Sequence, residues 1–191
     1  IVIAVVSCGG SSNNAVTNKN SSNSNVQQTA IPTYTYEIVK AYPHDPLAFT
    51  QGLVFQDGFI YESTGKLGES SLRKVELESG KVLKKYDLPS EVFGEGLAIL
   101  NNEVYQLSWR NKMGWVYDLA DFKLLREFRY SGEGWGLTHD GTHLFMSYGT
   151  HVIRVLDPKN MSQVRTIVVN DERGRPLMKL NELEWVKGEI W

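Results

Sequence analysis

The stretch Phe93-Gly94-Glu95-Gly96-Leu97 places one carboxylate between two glycines, with large apolar residues at both ends. Related stretches occur before and after it: Phe49-Thr50-Gln51-Gly52-Leu53, Glu133-Gly134-Trp135-Gly136-Leu137 and Leu180-Asn181-Glu182-Leu183. The final leucines of the four stretches, at positions 53, 97, 137 and 183, are separated by 44, 40 and 46 residues. Eight residues beyond each leucine stands an aromatic residue: Tyr61, Tyr105, Phe145 or Trp191. A period of about 40 to 45 residues, filled with short strands, is typical of the blades of a β-propeller.

Each complete repeat contains four short β-branched or aromatic runs separated by polar turns. The predicted strands are 50–55, 59–64, 71–76 and 82–88, then 96–100, 104–109, 114–118 and 124–130, then 136–138, 143–147, 151–156 and 164–169. Between the first two strands of each repeat lies a hairpin signal: Asp57-Gly58, Asn101-Asn102 or Asp140-Gly141. Four strands per repeat predict a propeller blade. The alternative, an all-β sandwich, does not require equivalent motifs at a fixed period.

Three repeats are complete, and a fourth begins at Leu180 and stops at Trp191. Propellers close with about four or more blades. We therefore expect residues 31–191 to be a partial β-propeller domain whose C-terminal part is missing. A further strand over residues 34–42, between Pro32 and Pro43, is expected to close the ring by joining the last blade.

The N-terminal segment resembles the end of a bacterial lipoprotein signal peptide. Ile1 to Val6 is apolar, and Val5-Val6-Ser7-Cys8 resembles a lipobox, in which Cys8 becomes the lipidated first residue. The alternative is the start of a buried strand with an incidental cysteine. Residues 9–30 are Gly, Ser, Asn, Thr and Gln with almost no apolar residue, which predicts a flexible linker. The expected location is the bacterial cell envelope, with the domain anchored to a membrane by lipid alone.

Composition and motifs argue against several classes of function. The net charge is −2, so the chain lacks the basic surface of a nucleic-acid-binding protein. The histidines show no metal-ligand spacing; they are His44, His139, His143 and His151. There is no phosphate-binding loop and no G-x-S-x-G nucleophile elbow. We expect no metal, no cofactor and a monomer.

If the repeats are blades, the residues two before each leucine meet at one mouth of the axial channel. These residues are Gln51, Glu95, Trp135 and Asn181. Convergent polar groups beside aromatic faces are typical of a small-molecule site. Glu95 is the candidate acid or base, because poor solvation beside Phe93 and two tryptophans raises the pKa of a carboxyl. The alternative is a structural carboxylate that caps backbone N–H groups at a blade junction.

The remaining candidates have equally open interpretations. Trp109 and Trp135 would either wall an apolar pocket or fill the core between blades. Gln51 and Asn181 would either orient an amide substrate or bind neighbouring loops. Glu62 is expected to be structural, and Glu182 and Glu184 are weaker candidates than Glu95.

Five stretches of the chain closely resemble the plant-type glutaminyl-peptide cyclotransferases, also called glutamine cyclotransferases. They are 49–53, Tyr61-Glu62-Ser63-Thr64-Gly65, Ser70-Ser71-Leu72-Arg73, 93–97 and Gly134-Trp135-Gly136-Leu137. Asn181-Glu182-Leu183-Glu184 continues the match, so the resemblance runs from about residue 34 to the end. It implies a five-bladed β-propeller that converts N-terminal glutamine of peptides or proteins to pyroglutamate, releasing ammonia without a metal. The competing hypothesis is a lipid-anchored propeller that only binds its ligand.

The resemblance also implies roles for individual residues. Glu95 would be the catalytic acid and base. Gln51, Trp109, Trp135 and Asn181 would bind the substrate, with Phe49 and Phe93 as apolar walls. The family uses a further tryptophan and a lysine from later blades, both of which would lie beyond Trp191.

Overall fold

The structure, a computed structural model, describes residues 2–6 and 34–191, with the backbone alone for residues 2–6. These residues fall into two compact units that divide between Tyr42 and Pro43. No helix in the described part of the chain has the length and apolarity needed to cross a membrane.

The first unit is a two-stranded antiparallel sheet of β1 (Val2–Val6) and β2 (Tyr36–Ala41). The strand predicted over residues 34–42 is therefore present. Its partner in this sheet is β1, and the expected pairing with the last blade stays a prediction. Cys8 and the predicted linker 9–30 lie outside the described residues, so the lipidation site and the linker stay predictions.

The second unit contains three four-stranded antiparallel sheets in chain order. The first sheet consists of β3 (Thr50–Gln56), β4 (Phe59–Thr64), β5 (Ser71–Glu76) and β6 (Val82–Asp87). The second consists of β7 (Gly94–Leu100), β8 (Glu103–Ser108), β9 (Met113–Asp118) and β10 (Leu124–Arg129). The third consists of β11 (Leu137–His139), β12 (Leu144–Met146), β13 (Val152–Leu156) and β14 (Gln163–Val168). A two-stranded sheet follows, with β15 (Trp185–Val186) and β16 (Glu189–Ile190).

Tight turns set the pairing within each sheet. Asp57 and Gly58 have φ angles of 51° and 84°, and Asn101 and Asn102 have φ angles of 54° and 62°. Positive φ at both central residues is the type I′ geometry, whose twist matches that of the flanking strands. The predicted turns at Asp57-Gly58 and Asn101-Asn102 are confirmed. All twelve strands predicted for the three repeats are present, each within two residues of its predicted ends.

The sheets stack on one another, and the second and third sheets do so through both of their faces. Along β7, Leu97 and Ile99 pack into a core shared with the first sheet, while Ala98 and Leu100 pack into a core shared with the third. Alternation of this kind follows from the two-residue period of a strand. A third core joins Phe145 of β12 to Leu183, and the Phe145 ring stacks on Trp185 at 5.4 Å. The antiparallel sheets therefore form a β-propeller-like stack, as the all-β prediction required.

Glycines allow the innermost strands of neighbouring sheets to approach closely. A Cβ atom on Gly52 would lie 2.6 Å from the backbone nitrogen of Leu97. A Cβ on Gly96 would meet the backbone of Trp135 to Leu137, and a Cβ on Gly136 would meet that of Asn181 and Glu182. The three motif glycines therefore stand next to one another around a common centre, and the residues that precede them are brought to the same end of the sheets.

Candidate active site

A cavity of about 200 Å³ lies where the motif residues meet. Six side chains line it: Gln51, Phe93, Glu95, Trp109, Trp135 and Asn181. All six are among the seven site residues suggested by the sequence, and they come from all three large sheets and the segment that follows. The structure therefore brings together residues that are up to 130 positions apart in the chain.

Irregular pairing at the start of the inner strands directs these side chains toward the cavity. In the first sheet Thr50 pairs with Thr64 but Gly52 pairs with Ser63, which leaves Gln51 as an extra residue. In the second sheet Gly94 pairs with Ser108 and Leu97 with Gln106, so Glu95 and Gly96 together oppose one residue. β-bulges of this kind bend a strand and change the direction in which a side chain points.

The third sheet repeats the arrangement. The N–H of Trp135 donates to the Ser147 carbonyl at 3.1 Å, and the Ser147 N–H donates to the Gly136 carbonyl at 3.0 Å. Trp135 and Gly136 therefore share Ser147 as their partner. Gln51, Glu95 and Trp135 occupy equivalent places, because each precedes the glycine that contacts the next inner strand.

Glu95 is the buried acid of the cavity. Only 5% of its surface is exposed, and within residues 34–191 no hydrogen-bond donor contacts its carboxyl. Burial raises the pKa of this carboxyl from 4.5 to about 8, and the negative charge of Glu133 adds to the shift. The group is therefore mostly protonated at pH 7 and is available to exchange a proton with a bound molecule. The structural alternative, a carboxylate that caps backbone N–H groups, would require donors that are not found in this part of the chain.

Trp109 and Trp135 form two walls of the cavity, and one carboxylate oxygen contacts both. The indole N–H of Trp109 donates to Oε2 of Glu133 at 2.8 Å, and that of Trp135 donates to the same oxygen at 2.9 Å. Glu133 is not among the residues predicted from the sequence. The sequence does distinguish it. The position four residues before the motif leucine is Phe49 in the first repeat and Phe93 in the second, but a charged residue, Glu133, in the third.

Phe93 lines the cavity, whereas Phe49 does not. The Phe49 ring packs edge-on against Phe93, with 6.1 Å between ring centroids, and is 49% exposed. Phe93 in turn packs edge-on against Trp109 at 5.6 Å. Phe49 is therefore not one of the cavity walls expected from the sequence, because it lies on the far side of Phe93 and supports that ring from behind.

Asn181 closes the cavity on the side of the fourth repeat. Its backbone carbonyl accepts a hydrogen bond from Ser147 Oγ at 2.6 Å, which anchors the segment against the third sheet. The next residue, Glu182, has a carboxyl pKa raised to about 9 by burial, by Glu184 and by Glu95. Because Glu182 does not line the cavity, it is a weaker candidate for the acid of the site than Glu95.

Glu62 belongs to a separate buried cluster. Its Oε1 atom is 2.8 Å from Nε2 of His44 and accepts a hydrogen bond from Thr50 Oγ1 at 2.5 Å. Since its carboxylate already has these partners and does not line the cavity, the structural interpretation of Glu62 is favoured. In the described part of the chain, no three His, Cys, Asp or Glu side chains are grouped so that they could hold a metal ion.

A wider groove adjoins the cavity across Phe93 and Trp109, which line both. Its other lining residues are Lys66, Leu67, Glu91, Arg110 and Asn111. Leu67 is 65% exposed there. The cavity is thus large enough for one small side chain, and the groove extends the open space beside it.

Comparison with known proteins gives consistent matches. Residues 11–191 match the sequence model of the family described as glutamine cyclotransferase. The chain is 40% identical over 157 residues to the glutaminyl-peptide cyclotransferase of Arabidopsis thaliana, covering 81% of this chain and 49% of that protein. It also matches the crystal structure of Myxococcus xanthus glutaminyl cyclase with a TM-score of 0.75 and 37% identity, over 81% of this chain and 65% of that one.

A more distant structural match concerns the fold alone. The WD40 domain of Neurospora crassa Pan2 matches with a TM-score of 0.53 at 12% identity, over 62% of this chain and 36% of that chain. WD40 domains are propellers of four-stranded sheets, in agreement with the stack seen here. The chain spans about half the length of the curated relative that it matches.

Proposed function

The chain belongs to the glutamine cyclotransferase family, and on this basis we propose that the full-length protein is a glutaminyl-peptide cyclotransferase. It converts the N-terminal glutamine of peptides or proteins to pyroglutamate and releases ammonia. The observation that supports this activity most strongly is Glu95, a buried carboxyl with a pKa of about 8 at the centre of an aromatic and amide-lined cavity.

The reaction requires a proton to be moved twice. The α-amino nitrogen of glutamine attacks the side-chain amide carbon, a C–N bond forms, and the bond from that carbon to the leaving nitrogen breaks. The attacking nitrogen must lose a proton and the leaving nitrogen must gain one. A single carboxyl group placed between the two nitrogens serves as base in one transfer and as acid in the other.

The pKa of Glu95 suits this exchange. The α-amino group of a peptide has a pKa of about 7.7 to 8.0, close to the value of about 8 for Glu95. A bound amine and Glu95 therefore share one proton almost equally, and the form with a neutral amine and a protonated Glu95 is reached with little change in free energy. The amine becomes nucleophilic, and Glu95, now protonated, holds the proton that the departing ammonia needs. In the ordinary solvated state a glutamate is too weak a base for this purpose.

The other cavity residues position the substrate. Because the side chain of glutamine must fold back on its own amine, flat walls at Phe93, Trp109 and Trp135 favour the compact conformation over extended ones. Gln51 and Asn181 carry amide groups that can both donate and accept hydrogen bonds. We assign them to the backbone carbonyl and the side-chain amide of the substrate. The adjoining groove receives the residues that follow the glutamine.

We also propose that the complete protein is a five-bladed propeller. Residues 31–191 supply three blades and the start of a fourth, and the remaining blades complete the ring and the cavity. The support is the succession of three four-stranded sheets followed by the short pair β15 and β16. Asn181 is exposed in this chain, which fits a cavity that later blades cover.

The location is a separate proposal that rests on the N-terminal sequence. Cys8 carries a lipid anchor in the bacterial cell envelope, and residues 9–30 tether the domain outside the cytoplasm. Growth with a radioactive fatty acid tests this directly: the protein incorporates label, and a Cys8→Ser variant does not. Equal labelling of the variant would exclude Cys8 as the lipidation site.

A coupled ammonia assay on the full-length protein tests the activity. We expect ammonia release from a peptide that begins with glutamine, and none from the same peptide with an acetylated N-terminus, since the nucleophile is then blocked. Saturable binding of the free peptide without ammonia release would instead support a propeller that only binds.

A further inference from the structure

Two tryptophans that wall the cavity share one hydrogen-bond acceptor. Trp109 follows β8 in the second sheet, and Trp135 precedes β11 in the third. Both indole N–H groups donate to Oε2 of Glu133, at 2.8 and 2.9 Å. An indole N–H can only donate, so each ring is held by this bond at its polar edge.

We propose that Glu133 is a positioning residue, which fixes both indole walls of the cavity through a single carboxylate oxygen. The proposal rests on the cyclotransferase activity for its catalytic consequence, and on the hydrogen-bond geometry alone for its structural content. Hydrogen bonds to an ionised carboxylate are shorter and stronger than neutral ones. A neutral side chain in this place would therefore hold the two rings less firmly.

The backbone around Glu133 fixes the carboxylate in turn. The N–H of Gly134 donates to the Trp109 carbonyl at 3.0 Å, which ties the residue after Glu133 to one of its two tryptophans. A Cβ atom on Gly134 would lie 2.7 Å from the Ser108 carbonyl oxygen. Only glycine allows so close an approach, and the approach brings Glu133 within reach of both indoles.

The second carboxylate oxygen has a different partner. The Nε–H group of Arg110 donates to Oε1 of Glu133 at 3.3 Å, and its guanidinium lies over the Trp109 ring, 3.7 Å from the centroid. Hydrogen bonds from Trp135, Trp109 and Arg110 lower the pKa of Glu133 despite the opposing effect of burial. The carboxylate is therefore ionised at neutral pH, as the positioning role requires.

The same charge acts on the catalytic acid. Within residues 34–191, three titratable groups interact with Glu95: Glu133, Glu182 and Tyr130. Of these, Glu133 adds to the rise in the Glu95 pKa, after burial. Glu133 thus has two separable effects, since the position of the rings depends on its oxygen atoms and the pKa of Glu95 depends on its charge.

Two substitutions separate these effects. Glu133→Ala removes the acceptor, so both rings lose their restraint, and we expect kcat/KM on a glutamine-initiated peptide to fall at least about tenfold. Glu133→Gln keeps a carbonyl oxygen with two lone pairs but removes the charge. We expect a smaller loss, together with movement to lower pH of the apparent pKa that Glu95 contributes to the kcat/KM profile.

A matched control is Glu127→Gln, which removes one negative charge from an exposed residue of β10. β10 lies three strands from β7, roughly 14 Å at the usual strand spacing. The control is expected to leave both kcat/KM and the pH profile unchanged. If Glu133→Ala folds with the thermal stability of the control and keeps wild-type kcat/KM, the positioning role is overturned.

A second readout does not depend on activity. Selective ¹⁵N labelling of tryptophan gives one indole N–H signal per ring, and Trp109→Phe and Trp135→Phe identify the two in question. We expect hydrogen exchange of both N–H groups to be at least about tenfold faster in Glu133→Ala and intermediate in Glu133→Gln. Wild-type exchange rates in both variants would overturn the proposal. If the wild-type protein released no ammonia, the proposed function would fail while this measurement still decided the role of Glu133.

Discussion

At the residue scale, the proposed chemistry depends on one carboxyl group that burial keeps protonated near neutral pH. Glu95 lies at a bulge in β7, is 5% exposed and has aromatic rings on the cavity side. The sequence identified this residue because Glu95 is the one carboxylate at a motif position that recurs as Gln51, Trp135 and Asn181. It did not identify Glu133, because the role of that residue depends on hydrogen bonds from two tryptophans that lie far apart in the sequence.

Burial of Glu95 also affects stability. Its pKa is about 8 in the folded protein and 4.5 ordinarily, so the folded state retains a proton that the unfolded state loses. The free energy of unfolding therefore decreases as pH rises from about 4.5 to 8, and the contribution of this group is constant outside that range.

Glu95→Gln removes this dependence. Relative to the variant, the wild-type protein is expected to lose stability across the same range, on the order of a few kcal/mol at most. Chemical denaturation at pH 5 and pH 8 measures the difference. If the free energies of unfolding of the two proteins differed by the same amount at pH 5 and pH 8, the carboxyl would not be held in its protonated form.

At the element scale, the bulges and the motif glycines position the site together. Gln51 and Glu95 occupy the irregular pairs at the start of β3 and β7, and the glycine after each contacts the next inner strand. The turns that define the strands are local, and for this reason Asp57-Gly58 and Asn101-Asn102 could be predicted. The position of Phe49 could not be predicted. The repeat makes Phe49 equivalent to Phe93, but only Phe93 lies on the side where the cavity is.

Gly96→Ala tests the close approach of the inner strands. The added Cβ would meet the backbone of Trp135, Gly136 and Leu137, none of which can rotate away. We expect a loss of about 1 to 3 kcal/mol in the free energy of unfolding. Gly58→Asn is the control, since Gly58 has open space and Asn tolerates its positive φ. Equal stability of the Gly96→Ala variant and the wild-type protein would show that the strands are less closely packed than described.

At the scale of the whole molecule, the cavity is made by several sheets and belongs to none of them. Its residues come from the first, second and third sheets and from Asn181 in the fourth repeat. The period of the motifs was sufficient to predict this convergence, because equivalent positions of stacked sheets face one centre. The number of blades in the complete protein could not be read from three repeats, and the five-bladed ring stays a prediction.

The proposed proton transfer through Glu95 predicts how the full-length protein responds to metal removal. Since a carboxyl group supplies both the base and the acid, we expect ammonia release to be unchanged after treatment with EDTA or 1,10-phenanthroline. The measurement is kcat/KM before and after dialysis against the chelator. A large loss that added zinc restores would contradict the proposed chemistry.

The most direct test of the account is the turnover of Glu95→Gln in the full-length protein. Glutamine matches glutamate in size but cannot exchange a proton at neutral pH, so we expect kcat on a glutamine-initiated peptide to fall at least about a hundredfold. Glu127→Gln again serves as the control for loss of one charge. Near wild-type ammonia release by a folded Glu95→Gln variant would contradict the central claim, that a buried carboxyl at position 95 moves the proton.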